Sequence, residues 1–327
     1  MGVSVTTGRR RPASRAAWLA LAAVIAVGPM GAPAAARTPP TVGTRLVIAP
    51  FMDTRAMPNR SLPKDARGVV LTDYGGALGI QYNPVSIAQA AIAYYYAAVH
   101  SNETLAAKDA DRQALLAQAE WLVNRQDSSG RWLYKFAWEG QPVPWVSAMA
   151  QGLGISALIR ANAVRPDPRY LRAIAKATGS FHRDWSLGGV GSWVTLASKK
   201  FLVYEEYMRP HSPRTLNGWM FAMAGLYEAQ LYLDDPQARY ELQNADRGLA
   251  ALKALLPYYD TGSWSTYNLR RLDATVNGSR AKRNYHELHI RQLRWFARVT
   301  GDPFFQGYAD RFQRYLDACL ATKTCPG

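Results

Sequence analysis

The chain has 327 residues, of which 48% are hydrophobic, and it carries 39 lysines and arginines against 24 acids for a net charge of +15. That excess favours an acidic partner. No nucleic-acid motif accompanies it, so anionic polysaccharide or a membrane surface fits better than nucleic acid. The only two cysteines, Cys319 and Cys325, can staple the tail but cannot build a metal site.

Residues 1–36 read as a secretory signal peptide. Arg9, Arg10, Arg11 and Arg15 precede an apolar run from Ala16 to Val27, and Ala34-Ala35-Ala36 offers a small-residue cleavage site. The apolar run is too short for a comfortable membrane span. The expected location is therefore periplasmic or secreted, with no stable membrane insertion after cleavage. The signal holds four basic residues and no acid, which leaves +11 on the remainder.

Residues 37–82 form a short extended or β segment. Pro58, Pro63 and Gly75-Gly76 break it, and Leu46-Val47-Ile48 and Val69-Val70-Leu71 supply brief apolar runs. From 83 onward the periodicity is helical. Four similarly punctuated starts, at Pro84, Pro144, Thr215 and Tyr285, recur every 60–70 residues and lead helices that are apolar on most faces. Each is followed by a more amphipathic partner, at 107–125, 168–183, 238–255 and 302–321. Asp167-Pro168 and Asp302-Pro303 are cap-and-proline starts. The fold class is mainly α: an incomplete α/α toroid of about four helical hairpins over residues 83–327. An ordinary helical bundle or solenoid shares the same period.

Two long insertions interrupt the helices, 184–213 and 256–282. The first reads as a glycine turn and two short strands. Loops this long in a compact domain are usually functional or disordered, and their Trp and Tyr content argues for order. The first carries Tyr204-Glu205-Glu206-Tyr207 and the second Tyr267-Asn268-Leu269-Arg270. Tyr285-His286-Glu287-Leu288-His289 follows directly.

These clusters suggest proton chemistry on an anionic substrate. The chain has no G-x-x-x-x-G-K-[ST], no H-E-x-x-H and no G-x-S-x-G. His286 and His289, three residues apart, lack a strong third ligand. They read as a polar substrate contact or a helix-start histidine, and neither a metal nor a cofactor is implied. Glu205 and Glu206 offer half of a glycosidase carboxylate pair, or a solvated edge. A tyrosine base needs help, because its unperturbed pKa is near 10. A guanidinium such as Arg270 favours tyrosinate, and a nearby carboxylate opposes it.

Taken in order, Val143-Pro144-Trp145-Val146-Ser147-Ala148-Met149-Ala150-Gln151-Gly152, Tyr204-Glu205-Glu206-Tyr207 and Leu216-Asn217-Gly218-Trp219-Met220 resemble the C-terminal domain of the D-glucuronyl C5-epimerases, the heparan sulfate and heparin enzymes. The likeness continues through Leu256-Pro257-Tyr258-Tyr259-Asp260, Tyr267-Asn268-Leu269-Arg270 and Tyr285-His286, across most of residues 83–320. It implies an α/α toroid that inverts D-glucuronate to L-iduronate at C5 within an anionic, uronate-containing polysaccharide such as heparosan. It also implies Tyr207 and Tyr285 as catalytic tyrosines, Glu206 as the catalytic acid, and Tyr267 and Arg270 as contacts to the uronate. Asn217 and His286 join them as expected substrate contacts. In the animal enzymes a large β-rich N-terminal region shapes the cleft and contributes to dimerisation. Only residues 37–82 stand there in this chain, and a homodimer stays an expectation.

Overall fold

The computed structural model describes residues 58–208, 212–232, 236–269 and 278–326. The predicted signal segment at 1–36 and Leu46-Val47-Ile48 lie outside the described residues, as does Arg270. Eight α-helices occur among the described residues: α1 (Pro84–His100), α2 (Leu105–Arg125), α3 (Ala148–Val164), α4 (Pro168–Thr178), α5 (Leu216–Tyr232), α6 (Pro236–Leu255), α7 (Arg283–Thr300) and α8 (Pro303–Thr322). They pair as four consecutive hairpins, α1 with α2, α3 with α4, α5 with α6 and α7 with α8. The first helix of each hairpin also packs on the next one, α1 on α3, α3 on α5 and α5 on α7. This is the toroid-like arrangement that the repeat predicts.

Capping chemistry sets the helix starts. Asn83 Oδ1 accepts from the Val85 and Ser86 amides at 2.8 and 3.2 Å, with Pro84 in the first turn. Asp167 and Asp302 cap α4 and α8 in the same way, each before a proline. Helix α7 stops at Gly301, whose φ of +68° suits a residue with no Cβ and whose N–H donates to Ala297 O.

One predicted start moves. Pro144 and Trp145 stay outside the helix, because Trp145 pairs with Tyr134 through two backbone hydrogen bonds, and α3 begins only at Ala148. The bridge satisfies backbone groups that a first helical turn would have left open. The inner helices also differ from one another. Ala148 to Ala161 of α3 are buried without interruption, whereas α7 is amphipathic and exposes Arg291, Arg294 and Arg298. Among the described residues no further inner helix packs on that side of α7.

The 184–213 insertion forms the antiparallel hairpin β3 (Gly191–Leu196) with β4 (Lys199–Tyr204), as expected. In the N-terminal segment the pairing strands are β1 (Thr72–Asp73) and β2 (Ile80–Gln81), just beyond Val69-Val70-Leu71. Val69 and Val70 instead bury their side chains in the main core. Cys319 and Cys325 form a disulfide that closes the tail onto the end of α8.

Helices α3 and α5 make the most extensive contact in the fold, and glycine permits it. A Cβ on Gly152 would sit 2.5 Å from the Phe221 carbonyl oxygen, and one on Gly225 would sit 2.5 Å from Gly152 Cα. Farther along, Arg160 holds Glu228 through two 2.9 Å hydrogen bonds while reaching Tyr96 of α1. Both members of this ion pair are buried. Gly225→Ala has only backbone to push against, so it should lose about 1–3 kcal/mol or more, read as a lower urea midpoint with an unchanged m-value.

Candidate active site

A cleft of 670 Å³ opens between α1 and α7 and is floored by the starts of α3 and α5. Glu206, Tyr207, Asn217, Tyr267 and Tyr285 all line it. Five of the seven predicted site residues therefore meet, although they span 79 positions from first to last in the chain.

Strand β4 delivers the acidic pair. Tyr204 ends the strand inside the core, edge-on to Phe181 at 5.0 Å. Glu205 then donates its N–H to Val190 O and accepts from Ala148 N–H, tying the hairpin to the start of α3. Its side chain is consumed by the fold: Oε1 accepts from Ser192 Oγ at 2.6 Å and Oε2 from the Arg214 amide at 3.2 Å. Glu206 alone turns its carboxyl to the cleft. It packs on Gly218, where a Cβ would lie 2.8 Å from its Cδ. The glycine in Asn217-Gly218-Trp219 thus makes room for this carboxylate.

The Glu206 carboxyl acts on the Tyr207 hydroxyl, Tyr207 on Tyr267 and Tyr267 on Tyr285, so the four form one interacting line on the cleft. The rings of Tyr267 and Tyr285 meet edge to face at 4.7 Å. Burial raises Glu206 to about 7 against the Tyr207 hydrogen bond, with Glu139 and Glu205 adding like charge. Burial, then the Glu206 charge, pushes Tyr207 and Tyr267 well above the ordinary phenol range. Both tyrosines are held as neutral donors. The groove therefore contains a carboxyl poised near neutrality and a line of protonated phenols.

Other polar atoms point to a ligand. Glu206 Oε2, Asn217 Oδ1 and Ser147 Oγ are all buried, belong to cleft-lining residues, and have no hydrogen-bond partner among the described residues. Buried polar groups are nearly always paired, so a cluster of exceptions in one cleft marks where a polar molecule is received. Asn217 is fixed for this from behind, because its carbonyl accepts from Gln292 Nε2 at 3.0 Å.

His286 is not part of the cleft. It is fully buried and stacks on Trp264 at 3.8 Å. Its Nε2 lies 2.8 Å from the Phe312 carbonyl, which only a ring N–H can donate to, so Nδ1 accepts from Ser265 Oγ at 2.7 Å. Ser265 Oγ in turn accepts from His289 Nδ1 at 2.9 Å. Burial lowers His286 to about 4 and His289 to about 3, leaving both neutral near pH 7. The histidine expected to touch substrate instead pins Trp264 and Ser265 to α7, just before Tyr267 in the chain. Arg270 falls outside the described residues.

Sequence reasoning missed Ser147, Tyr134, Trp138 and Tyr74 as cleft residues, and also Arg291 of α7. Ser147 stands inside the Val143–Gly152 motif, which was a usable signal. Tyr74 and Trp138 stand in turns that carry none.

The model of the D-glucuronyl C5-epimerase C-terminus matches residues 126–314. The chain belongs to that family. It is 36% identical over 218 residues to the D-glucuronyl C5-epimerase of Caenorhabditis elegans, covering 62% of this chain and 35% of that protein. It is 27% identical over 169 residues to an uncharacterised protein of Methanocaldococcus jannaschii, covering 52% of each. The chain thus spans only about a third to a half of the length of these relatives. The family match includes Glu206, Tyr207, Asn217, Tyr267 and Tyr285 but leaves out the segment at 58–82 that also lines the cleft.

The raised acids have a consequence for stability. Glu205 and Glu206 both rise from an ordinary 4.5 to about 7 on folding. The folded chain therefore keeps protons that the unfolded chain releases. The stability this contributes is complete below about pH 4.5 and is lost as pH rises through 7. Glu206→Gln should accordingly stabilise the protein at pH 8 and much less at pH 5, measured by urea unfolding. An offset that is constant across that range would contradict the burial of this carboxyl.

Proposed function

We propose that the protein is a uronyl C5-epimerase that converts D-glucuronate to L-iduronate within an anionic polysaccharide, in the periplasm or outside the cell. The observation that carries this reading is the gathering of Glu206, Tyr207, Tyr267 and Tyr285 on one cleft in a member of this family. The N-terminal signal pattern and the basic charge support the location and the polyanionic substrate.

The C5 hydrogen lies α to a carboxylate, so its removal leaves an enolate-like dianion and a planar C5. Inversion requires one group to take that proton and another, on the opposite face, to give one back. Glu206 suits the first task because its pKa stands near the working pH. Tyr207 acts with it: its hydroxyl neighbours the carboxylate, to which it can pass its proton as its own oxygen takes the one from C5. Tyr285, on α7, serves the other face. Tyr267 stands between the two tyrosines and closes the proton balance, since a proton gained on one side can return to the other through its hydroxyl. Asn217 and Ser147 present polar atoms to the sugar. Arg270 matches the family position that meets the uronate, and a guanidinium there holds a carboxylate bidentately and offsets the developing charge.

Incubation with N-acetylheparosan and other glucuronate polymers in deuterated water tests this directly. Deuterium at C5 together with iduronate is expected. An unsaturated uronate absorbing in the ultraviolet would make the protein a lyase that shares the first step, and binding without either signal would make it a glycan-binding module. Tyr207→Phe and Tyr285→Phe should each lower kcat at least about 100-fold while unfolding as the wild type does. Because Glu206 must be ionised to accept a proton, kcat/KM should rise with pH through about 7, and Glu206→Gln should lose that limb. A flat profile through this range would remove Glu206 from the role of base.

A further inference from the structure

We infer that the segment after α8, folded back by the Cys319–Cys325 disulfide, caps the start of α7 and thereby positions Tyr285. This positioning role rests on the proposed function and adds to it residues that do not line the cleft. Helix α7 has no side-chain cap: Lys282 holds the N-cap position and makes no hydrogen bond to the first turn. In α1, α4 and α8 the same position is held by Asn83, Asp167 and Asp302, whose side chains each accept from first-turn amides. Lys282 and Arg283 also place two cations at the end of the helix where its dipole disfavours positive charge, with Glu287 offsetting Arg283 from one turn away at 2.8 Å. The open amides of this turn need an acceptor from elsewhere.

Pro326 supplies one. The Arg283 N–H donates to the Pro326 carbonyl at 3.0 Å, and a proline offers that acceptor with no N–H of its own to satisfy. The path back from α8 is fixed step by step. Lys323 ends the helix at φ +56°, with its N–H directed at the carbonyls of Cys319 and Leu320. Thr324 N–H donates to Cys319 O at 3.1 Å, and the Thr322 and Thr324 hydroxyls meet at 2.7 Å. The disulfide then joins Cys325, the neighbour of Pro326, to Cys319 in the last turn of α8. Cys319 is buried and Cys325 packs against the main core. The bond thus anchors the capping carbonyl to a packed helix.

Tyr285 is the third residue of α7 and belongs to the turn that this contact caps. Its N–H and that of His286 both donate to Lys282 O at 3.0 Å. Its ring is only half-buried and reaches the cleft beside Tyr267. Two ties hold the turn against α8: His286 Nε2 to the Phe312 carbonyl from the core side, and Pro326 at the start. Breaking the disulfide frees the second tie and leaves the first. The turn then frays around Tyr285 while the core stays packed, so the loss falls on the proton step rather than on the fold. In the oxidising compartment proposed above the disulfide persists, and a reduced chain is the slower enzyme. Residues 319–326 lie beyond the segment that matches the family model, so this cap belongs to the chain's own end of α8.

The test compares the oxidised protein, the protein reduced with dithiothreitol and alkylated, and the double variant Cys319→Ala, Cys325→Ser. C5 deuterium exchange on N-acetylheparosan is read together with amide hydrogen exchange along α7. Loss of the disulfide should lower kcat about 10- to 100-fold with KM little changed, and should speed exchange of the amides at 283–286 while α3 and α5 keep their protection. Reoxidation of the reduced, unalkylated protein should restore both. The same reduction in Tyr285→Phe should leave its remaining one-sided exchange as it was, because the disulfide acts through Tyr285. An unchanged kcat in the fully reduced protein overturns the positioning role, as does a reduction that slows Tyr285→Phe by the same factor, which would mean a general loss of structure. A wild type that exchanges no C5 hydrogen overturns the epimerase reading and this catalytic consequence together, and unchanged amide protection at 283–286 on reduction overturns the cap itself.

Discussion

The contact of α3 with α5 is the constraint from which the site follows. Gly152 and Gly225 let the two backbones touch, and the Arg160–Glu228 pair fixes their register with Tyr96 of α1 attached. Close approach brings Ser147, just before α3, and Asn217, at the start of α5, to the same cleft. The end of β4 then has one place to go. Glu205 is bound into the fold there, and Glu206 emerges against Gly218. A buried ion pair is not a strong source of net stability, but removing one partner leaves an uncompensated charge. Its clearer contribution here is to geometry.

That geometry makes the electrostatics. Desolvation lifts an acid and a phenol in the same direction, yet with different results near neutral pH. Glu206 arrives near 7 and can exist in both states, while Tyr207 and Tyr267 are driven further into the neutral form. In the proposed reaction the carboxylate is therefore the proton acceptor and the phenols are donors and carriers. The sequence offers Tyr207 and Tyr285 for the two faces, with Glu206 as an alternative base or as the tuner of a tyrosine. Burial supports the alternative in which Glu206 is the base.

Much of the fold was legible because it is written in local chemistry. Asn83-Pro84, Asp167-Pro168 and Asp302-Pro303 are caps followed by prolines, and each starts a helix where it stands. The start of α3 was misplaced because Trp145 prefers a backbone bridge to Tyr134, a partner eleven positions earlier that no local pattern reveals. The sequence predicts α7 to be apolar on most faces, but it leaves the side that carries Arg291, Arg294 and Arg298 exposed. The tyrosines and Glu206 were found through a motif and a family likeness. His286 sits in that motif too, yet its neighbours Trp264, Ser265 and Phe312 enclose it. Adjacency in sequence to a cleft residue does not decide which way a helix turns a side chain. The aromatic rim had no signal at all, since Tyr74 and Trp138 are brought together only by the tertiary fold.

The central claim is that two separate proton carriers face the sugar from opposite sides. It is tested most directly by following hydrogen exchange in Tyr285→Phe with each epimer supplied separately in deuterated water. If the Glu206–Tyr207 pair and Tyr285 serve different faces, this variant should exchange the C5 hydrogen of one epimer with retention and leave the other untouched. Equal exchange of both epimers, or continued net inversion, would contradict the two-faced arrangement.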